Sequence, residues 1–223
     1  VDHYRGRGPV LGAPSFSPRG DRIAFSCFAY DMLPEIPKDI HYNIYLMPLT
    51  ASAPWPPAEP TPWRYPGLRS MWPISLLSHR PDGGSCDANS LEPVLLDTEC
   101  IFSSLADNLV EHDVNDCHDL FVRDLTGKAR ITCLTPGAND SSFEPCASRD
   151  GRWVAFTSYA TNLLPGARQG QSYVYLLDRF RHKLQRLGPG HNPTISSDAS
   201  KVALVDQGQV FLWTAAEGLR PLL

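Results

Sequence analysis

Short apolar runs separated by turn-forming residues recur along the chain, and two kinds of run each occur four times. The first kind reads Ile23-Ala24-Phe25, Cys100-Ile101-Phe102, Val154-Ala155-Phe156 and Val202-Ala203-Leu204. The second kind reads Ile44-Tyr45-Leu46, Leu120-Phe121-Val122, Val174-Tyr175-Leu176 and Val210-Phe211-Leu212. β-Branched, aromatic and aliphatic residues bounded by Gly, Pro, Asp and Ser are typical of β-strands. Because a unit of roughly fifty residues cannot bury its own apolar face, copies must stack on one another, and the repeat predicts an all-β protein with a β-propeller fold.

Each repeat is expected to form one blade, a four-stranded antiparallel sheet. A Ser-x-Glu-Pro segment marks the inner strand and occurs at 90–93 and 142–145. The pair Asp150-Gly151 then leads into a second strand, since Asp-Gly between apolar runs is a strong hairpin signal. Outer strands are predicted at 129–134, 183–187 and 218–222. Pro-Gly pairs separate the units, and residues 1–223 are interpreted as one propeller domain.

Residues 50–90 interrupt this pattern and leave the number of blades open. The prolines from Pro54 to Pro66 are interleaved with Trp55 and Trp63, which excludes a helix or a central strand. The segment 71–75 that follows has the composition of an inner strand. The stretch is therefore either an insertion between two of four blades or a degenerate fifth blade, and we favour four blades.

Two of the copies resemble a known repeat family. The WD40-like (PD40) repeat of TolB-type β-propellers is similar to Asp150-Gly151-Arg152-Trp153-Val154-Ala155-Phe156-Thr157-Ser158, followed by Ala160-Thr161-Asn162-Leu163. It is also similar to Phe102-Ser103-Ser104, Ala106-Asp107-Asn108-Leu109 and Asp119-Leu120-Phe121-Val122-Arg123-Asp124-Leu125. The resemblance implies a propeller in an exported bacterial protein, either periplasmic, lumenal or secreted. It carries over neither the role of TolB, whose additional N-terminal domain is not visible here, nor a peptidase activity, since a Gly-x-Ser-x-Gly motif is missing.

Charge and cysteine content narrow the class of protein. The net charge of −4 gives no general attraction to nucleic acid or to an anionic membrane. No stretch of the sequence approaches the ~20 apolar residues that a transmembrane helix needs. Val1 in place of Met is expected to mark a processed chain whose signal peptide, had it one, is already removed. Among the six cysteines, Cys86 and Cys117 lie in predicted loops and are candidates for a disulfide in an oxidising compartment, free thiols being the alternative.

The loops between the second and third strands are long in three of the four copies, and one of them is rich in metal-ligating residue types. In that loop Asp113, Asn115 and Asp119 supply oxygens that a Ca²⁺ ion, which takes six to eight oxygen ligands, would accept. A zinc site is a second interpretation, and its ligands would be His112, Cys117 and His118. The third is a solvated acidic loop whose Asp and Asn side chains bond to nearby backbone. Asn108 and Asn162, which follow the second strands, are expected to bond to backbone in the same way.

The Pro/Trp-rich stretch is a second candidate binding region. Aromatic residues contribute much of the energy of protein interfaces, so Trp55, Trp63 and Trp72 are candidates for binding a partner. The alternative is that Trp55 and Trp63 pack against the side of the propeller and fill a gap.

Catalytic motifs are missing, and no catalytic residue is assigned. The sequence contains neither HExxH nor a phosphate-binding Gly-rich loop. The sequence therefore favours a non-catalytic binding or scaffolding propeller in an exported or envelope assembly, with a protein or glycan partner. The alternatives are a glycoside hydrolase or lyase with its site at the long-loop mouth of the channel, and a subunit of a larger complex.

Overall fold

The computed structural model describes residues 14–28, 41–49, 74–113, 115–128 and 130–222, and in them the chain forms β-strands joined by turns and loops. In chain order the strands are β1 (Ser15–Phe16), β2 (Arg22–Cys27), β3 (Asn43–Pro48), β4 (Ser75–Leu76), β5 (Ser90–Leu95), β6 (Glu99–Ser104), β7 (Asp119–Asp124), β8 (Ile131–Cys133), β9 (Ser142–Ala147), β10 (Trp153–Ser158), β11 (Tyr173–Asp178), β12 (Lys183–Pro189), β13 (His191–Ile195), β14 (Lys201–Asp206), β15 (Gln209–Thr214) and β16 (Gly218–Pro221). The strands of the described residues form four four-stranded sheets, β1–β4, β5–β8, β9–β12 and β13–β16, which we call blades 1 to 4. All neighbouring strands within a blade are antiparallel. The prediction of an all-β fold with four-stranded antiparallel blades is confirmed.

The predicted Asp-Gly hairpin joins the first and second strands of blade 3. Ser148 donates its hydroxyl hydrogen to Oδ1 of Asp150 over 2.6 Å, and the same carboxylate accepts the backbone N–H of Arg152. Gly151 has a φ of 70°, in the left-handed region that side chains disfavour. These contacts close the turn and set Val154 opposite Ala147, which places the apolar run of β10 in register.

Alternation along the strands gives every blade two different faces. In blade 3, Ala155 packs with Val202 and Leu204 of blade 4, whereas Phe156 packs with Ile101 and Val122 of blade 2. We call the surface that meets the next blade the forward face and the opposite surface the backward face. The backward faces carry stacked aromatic pairs, Phe25–Tyr45, Phe102–Phe121 and Phe156–Tyr175, with centroids 5.7 to 6.0 Å apart. The core therefore lies between blades, not inside one.

The blades converge at their first strands. Strands β1, β5, β9 and β13 each contact the next in that order, as inner strands of a propeller do. The sheets diverge toward their fourth strands, so that a groove opens between blades 2 and 3. Among the described residues, no comparable contact joins β13–β16 to β1–β4, and the four blades form an open arc.

The stretch that left the blade number open contributes the outer strand of blade 1. Ser75 pairs with Leu46 and Leu76 with Tyr45, so the described end of the segment 71–75 belongs to an outer strand and not to the inner strand of a fifth blade, while residues 71–73 lie outside the described residues. The pattern misled because two residues suffice to pair with β3, too few for a period to show. Trp55, Trp63 and Trp72 lie outside the described residues.

Candidate functional site

A repeated bulge interrupts the inner strands of blades 2, 3 and 4. Glu92, Glu144 and Asn192 occupy it, with φ values of 56°, 54° and 50°, and the pairing with the second strand shifts register there. Each is followed by a proline, which has no N–H to give to the sheet. The bulge turns the side chains of Glu92 and Glu144 out of the sheet and toward the next blade.

The bulge glutamates join consecutive blades. Oε2 of Glu92 accepts the backbone N–H of Glu144 over 2.7 Å and the hydroxyl of Ser103 over 2.9 Å. Oε2 of Glu144 likewise accepts the N–H of Asn192 over 2.6 Å and the hydroxyl of Thr157 over 2.8 Å. Burial raises the pKa of Glu92, which these hydrogen bonds partly offset. These carboxylates at the inner edge act as latches between blades, a role that the sequence had signalled only by the recurring Glu.

The long loops lie on the same side of the blades as the connections between them. Ser142 at the start of β9 donates its N–H to the carbonyl of His118, at the end of the loop that follows β6. Gly190, in the connection from β12 to β13, donates to Ser172 in the equivalent place of blade 3. We call this side the loop face.

Two reciprocal pairs of side chains fasten the long loops to the connections. Asn162 accepts the N–H of Asn139 over 3.1 Å, while Asn139 accepts the N–H of Thr161 over 2.8 Å. In blade 2, Asn108 accepts the N–H of Asp87 over 3.3 Å and Asp87 accepts that of Asp107 over 3.1 Å. The prediction that Asn108 and Asn162 bond to backbone is confirmed. These bonds fix the loops in position before any partner arrives.

Five aspartates are gathered on the loop face of blade 2, namely Asp87, Asp107, Asp113, Asp116 and Asp119. Burial, reinforced by the charges of Asp119 and Asp107, raises the pKa of Asp113 to about 6. Burial and the nearby Asp116 also raise the pKa of Asp107. We call this group the acidic cluster. Its carboxylates repel one another, so a cation placed among them would be favoured.

The three residues predicted as calcium ligands lie together but do not present a common set of oxygens. Asn115 donates from Nδ2 to Asp119 over 2.7 Å and to the carbonyl of Ala138, while its Oδ1 accepts the N–H of Cys117. Asp119 is buried and also accepts the hydroxyl of Thr135. Asn115 and Asp119 thus brace the loop against the connection between blades 2 and 3.

The described residues do not form a preorganised metal site. Among the described residues, no group of three or more His, Cys, Asp or Glu side chains is arranged to hold a metal ion. His118 is largely desolvated, which lowers its pKa, whereas His112 is exposed on the same loop. Neither the zinc nor the calcium interpretation gains support, and calcium stays a prediction.

Two grooves lie along blade 2, and one of them borders the acidic cluster. The groove that borders the cluster has a volume of about 360 Å³. It lies between Asp113 on the loop and two residues at β8, namely Arg130 just before the strand and Cys133 at its end. The other, of about 550 Å³, opens between the outer strands of blades 2 and 3, beside an ion pair in which Nη1 of Arg179 lies 2.7 Å from Oε2 of Glu99. Both are open grooves that an extended segment of another molecule would fit better than a small ligand would.

None of the six cysteines forms a disulfide. Cys86 is buried and donates from Sγ to Oδ1 of Asn43 over 3.1 Å, so the candidate bridge between Cys86 and Cys117 is not formed.

No helix of the described residues is long and apolar enough to cross a membrane.

The fold is similar to several solved structures. TolB from Acinetobacter baumannii superimposes with a TM-score of 0.57 at 17% identity, over 96% of this chain and 43% of that one. An oligogalacturonate lyase from Vibrio parahaemolyticus gives 0.55 at 9% identity, over 95% of this chain and 53% of that one. A puromycin-hydrolyzing peptidase of Mycobacterium tuberculosis gives 0.59 at 12% identity, over 97% of this chain and 29% of that one.

The similarity establishes a TolB-like β-propeller fold and nothing more specific, because these identities are low and one fold serves many functions. The chain spans less than two thirds of each of these neighbours. No protein-family model matches the chain. No curated protein matches it either.

Proposed function

We propose that the protein is a non-catalytic binding propeller whose loop face on blade 2 recognises a protein partner through basic side chains. The observation that carries this proposal is the acidic cluster, held on loops that are already fastened to the scaffold. Loops fixed on a rigid scaffold are common binding sites, and a preorganised surface loses little entropy on binding.

Charge supports a basic partner. Asp113 has its pKa raised to about 6 by burial and by its carboxylate neighbours, so its ionised form is unfavourable in the free protein. A Lys or Arg side chain brought into the 360 Å³ groove beside it would relieve that repulsion. Binding of this kind weakens as salt is added, because exposed charges are screened.

The carboxylates at the inner edge of the blades support the proposal that the propeller is non-catalytic. Glu92 and Glu144, the carboxylates on the inner strands β5 and β9, each accept hydrogen bonds from a backbone N–H and a hydroxyl. A carboxylate used in this way is a poor general base, because its basic oxygen is already occupied. The likeness of fold to an oligogalacturonate lyase keeps a lyase or glycoside hydrolase as the alternative, and an activity screen on polyuronide substrates tests it.

The likeness to TolB supports an exported protein in a bacterial envelope assembly, periplasmic, lumenal or secreted. Fractionation of source cells with antibody against the chain tests this placement. Recovery with cytoplasmic markers would contradict it.

The loop-face proposal is tested by affinity capture from native membrane and soluble fractions. The wild type is compared with the triple variant Asp107→Asn, Asp113→Asn, Asp116→Asn, which removes charge but keeps the bonds made by Asp87 and Asp119. The matched control is Glu217→Gln, an exposed carboxylate on the β15–β16 turn at the opposite end of the strands.

We expect a stoichiometric protein captured by the wild type and the control and lost by the triple variant. Equal capture by all three would refute the loop-face proposal. Loss of the partner from the wild type when a chelator is added would support the calcium prediction at Asp113, Asn115 and Asp119. If no protein is captured and a glycan array binds the chain, the partner is a glycan.

A further inference from the structure

The outer strand of blade 2, β8, has an open edge. On its inner edge the backbone N–H of Asp124 in β7 donates to the carbonyl of Arg130 over 2.9 Å. Because the N–H and C=O groups of successive residues alternate between the two edges of a strand, those of Ile131 and Cys133 point away from β7. None of the described residues forms a backbone hydrogen bond with these groups. The edge is therefore able to pair with a further strand.

The composition of β8 leaves this edge unprotected. Outer strands usually avoid pairing with other chains through charged residues, proline or very short length. Strands β12 and β16 each carry Lys or Arg and a proline, and β4 has only two residues. Strand β8 reads Ile131-Thr132-Cys133, and its pairing with β7 continues at Arg130 and Leu134. Of the four outer strands, β8 is thus the best suited to accept another strand.

The two grooves along blade 2 lie on opposite faces of β8 and differ in chemistry. On the backward face Ile131 and Cys133 pack with the blade 2 core, and the groove of about 360 Å³ beside them includes Asp113. On the forward face Leu134 packs with Leu184 of blade 3 beside the groove of about 550 Å³. Successive side chains of a strand point to opposite faces. A strand added to β8 would therefore place alternate side chains in the two grooves.

We propose that an extended segment of the protein partner adds to the open edge of β8 as a further strand. Its basic side chains enter the groove beside Asp113, and the apolar side chains that alternate with them enter the groove between blades 2 and 3. This inference rests on the proposed function and adds how the partner is bound. Charge assigns the occupant, because Glu111, Asp113 and Asp119 line the first groove, whereas Leu134, Leu177 and Leu184 line the second. Strand addition to an exposed sheet edge is a common mode of peptide recognition.

The test uses a short, end-capped peptide of alternating Lys and Val, titrated into the full chain by isothermal calorimetry. We expect this peptide to bind and a peptide of alternating Glu and Val not to bind. Two further peptides carry N-methyl groups, one on its lysines and one on its valines. An added strand turns only every second N–H toward β8, so one methylated peptide should bind at least about tenfold more weakly than the other. Equal affinity of the two methylated peptides, or no binding of the parent peptide, would overturn the strand addition.

A pair of variants tests the same edge from the side of the protein. Cys133→Pro removes an N–H that points to the open edge, and proline is tolerated at such a position of an edge strand. Cys133→Val is its reference, because it also lacks the thiol but keeps the N–H. We expect Cys133→Pro to bind the Lys/Val peptide at least about tenfold more weakly than Cys133→Val, and equal affinity would overturn the proposal. Circular dichroism checks folding, and if Cys133→Pro does not fold, the methylated peptides decide on the wild type.

The triple variant Asp107→Asn, Asp113→Asn, Asp116→Asn separates this inference from the proposed function. Peptide binding that is lost in the triple variant, with equal affinity of the two methylated peptides for the wild type, would support the acidic cluster and overturn the strand addition. Peptide binding that is kept in the triple variant, with one methylated peptide much weaker than the other, would support the strand addition and contradict the role of the acidic cluster.

Discussion

The latch between blades 3 and 4 offers a quantitative test of how the blades are held together. Replacing Glu144 with Ala removes the acceptor of two hydrogen bonds, from the N–H of Asn192 at 2.6 Å and from Thr157 at 2.8 Å. A hydrogen bond to a charged group contributes about 1.5–3 kcal/mol when it is shielded from water. Glu144 is only half-buried, so water replaces part of what is lost, and we expect a loss of about 2 kcal/mol in the free energy of unfolding.

Urea unfolding followed by tryptophan fluorescence measures this loss, since Trp153 and Trp213 lie in the core between blades 3 and 4. Glu144→Gln keeps an oxygen acceptor without the charge and should cost about half as much. Glu217→Ala is the control, because its bond to Arg220 joins two exposed side chains and such pairs contribute no more than about 0.5–1 kcal/mol.

Hydrogen exchange locates the effect. We expect faster exchange in β13–β16 of Glu144→Ala and unchanged exchange in β5–β8, because the latch joins blade 4 to blade 3. If Glu144→Ala unfolds at the same urea concentration as Glu217→Ala, the bulge carboxylates do not hold the blades together and the reasoning fails.

Three further predictions concern the loop face and the packing of blade 4. The pKa of Asp113 is raised in the folded state to about 6 from 3.8, so the folded protein binds more protons between these values and its stability should rise as pH falls from 7 to 5. Asp113→Asn should make this slope shallower and stabilise the protein by about 1 kcal/mol at pH 7, and an unchanged slope in thermal unfolding across pH would contradict the prediction. Gly190→Ala should destabilise the protein by at least about 2 kcal/mol in urea unfolding. The reason is that φ at this position is +133° and the new Cβ would lie 2.6 Å from the carbonyl oxygen of Val205. An unchanged urea midpoint would contradict the packing described. Asn162→Ala removes hydrogen bonds to Asn139 and Gly137 at an exposed loop. It should speed hydrogen exchange in 159–172 while leaving the free energy of unfolding within about 1 kcal/mol of wild type.

The sequence predicted the strands well where the apolar runs were long enough to show a period. The outer strand predicted at 183–187 is β12 at Lys183–Pro189, and the one predicted at 218–222 is β16 at Gly218–Pro221. The two-residue strand Ser75–Leu76 was missed because its identity depends on pairing with β3, which no local pattern records. The recurring glutamates were visible in Ser-x-Glu-Pro, but their role required the bulge that turns them toward the next blade.

The open arc also lay beyond reach of the sequence. Val210 is exposed because none of the described residues covers it, although it occupies the same position of the repeat as the buried Val174. At the candidate calcium site, the spacing of Asp113, Asn115 and Asp119 was read as a set of ligands, whereas Asn115 points its amide nitrogen at Asp119. The spacing of residues along the sequence indicates which residues come close together, whereas the side-chain conformations determine which of their atoms face one another.

The most direct test of the proposed binding surface is hydrogen exchange of the full chain with and without its captured partner. The binding proposal predicts protection in 105–113 and 115–118 and in the connection 134–141, with turns such as 196–200 at the opposite end of the strands unchanged. Protection confined to the inner strands around Glu92 and Glu144, or to those opposite turns, would contradict a binding site at the acidic cluster.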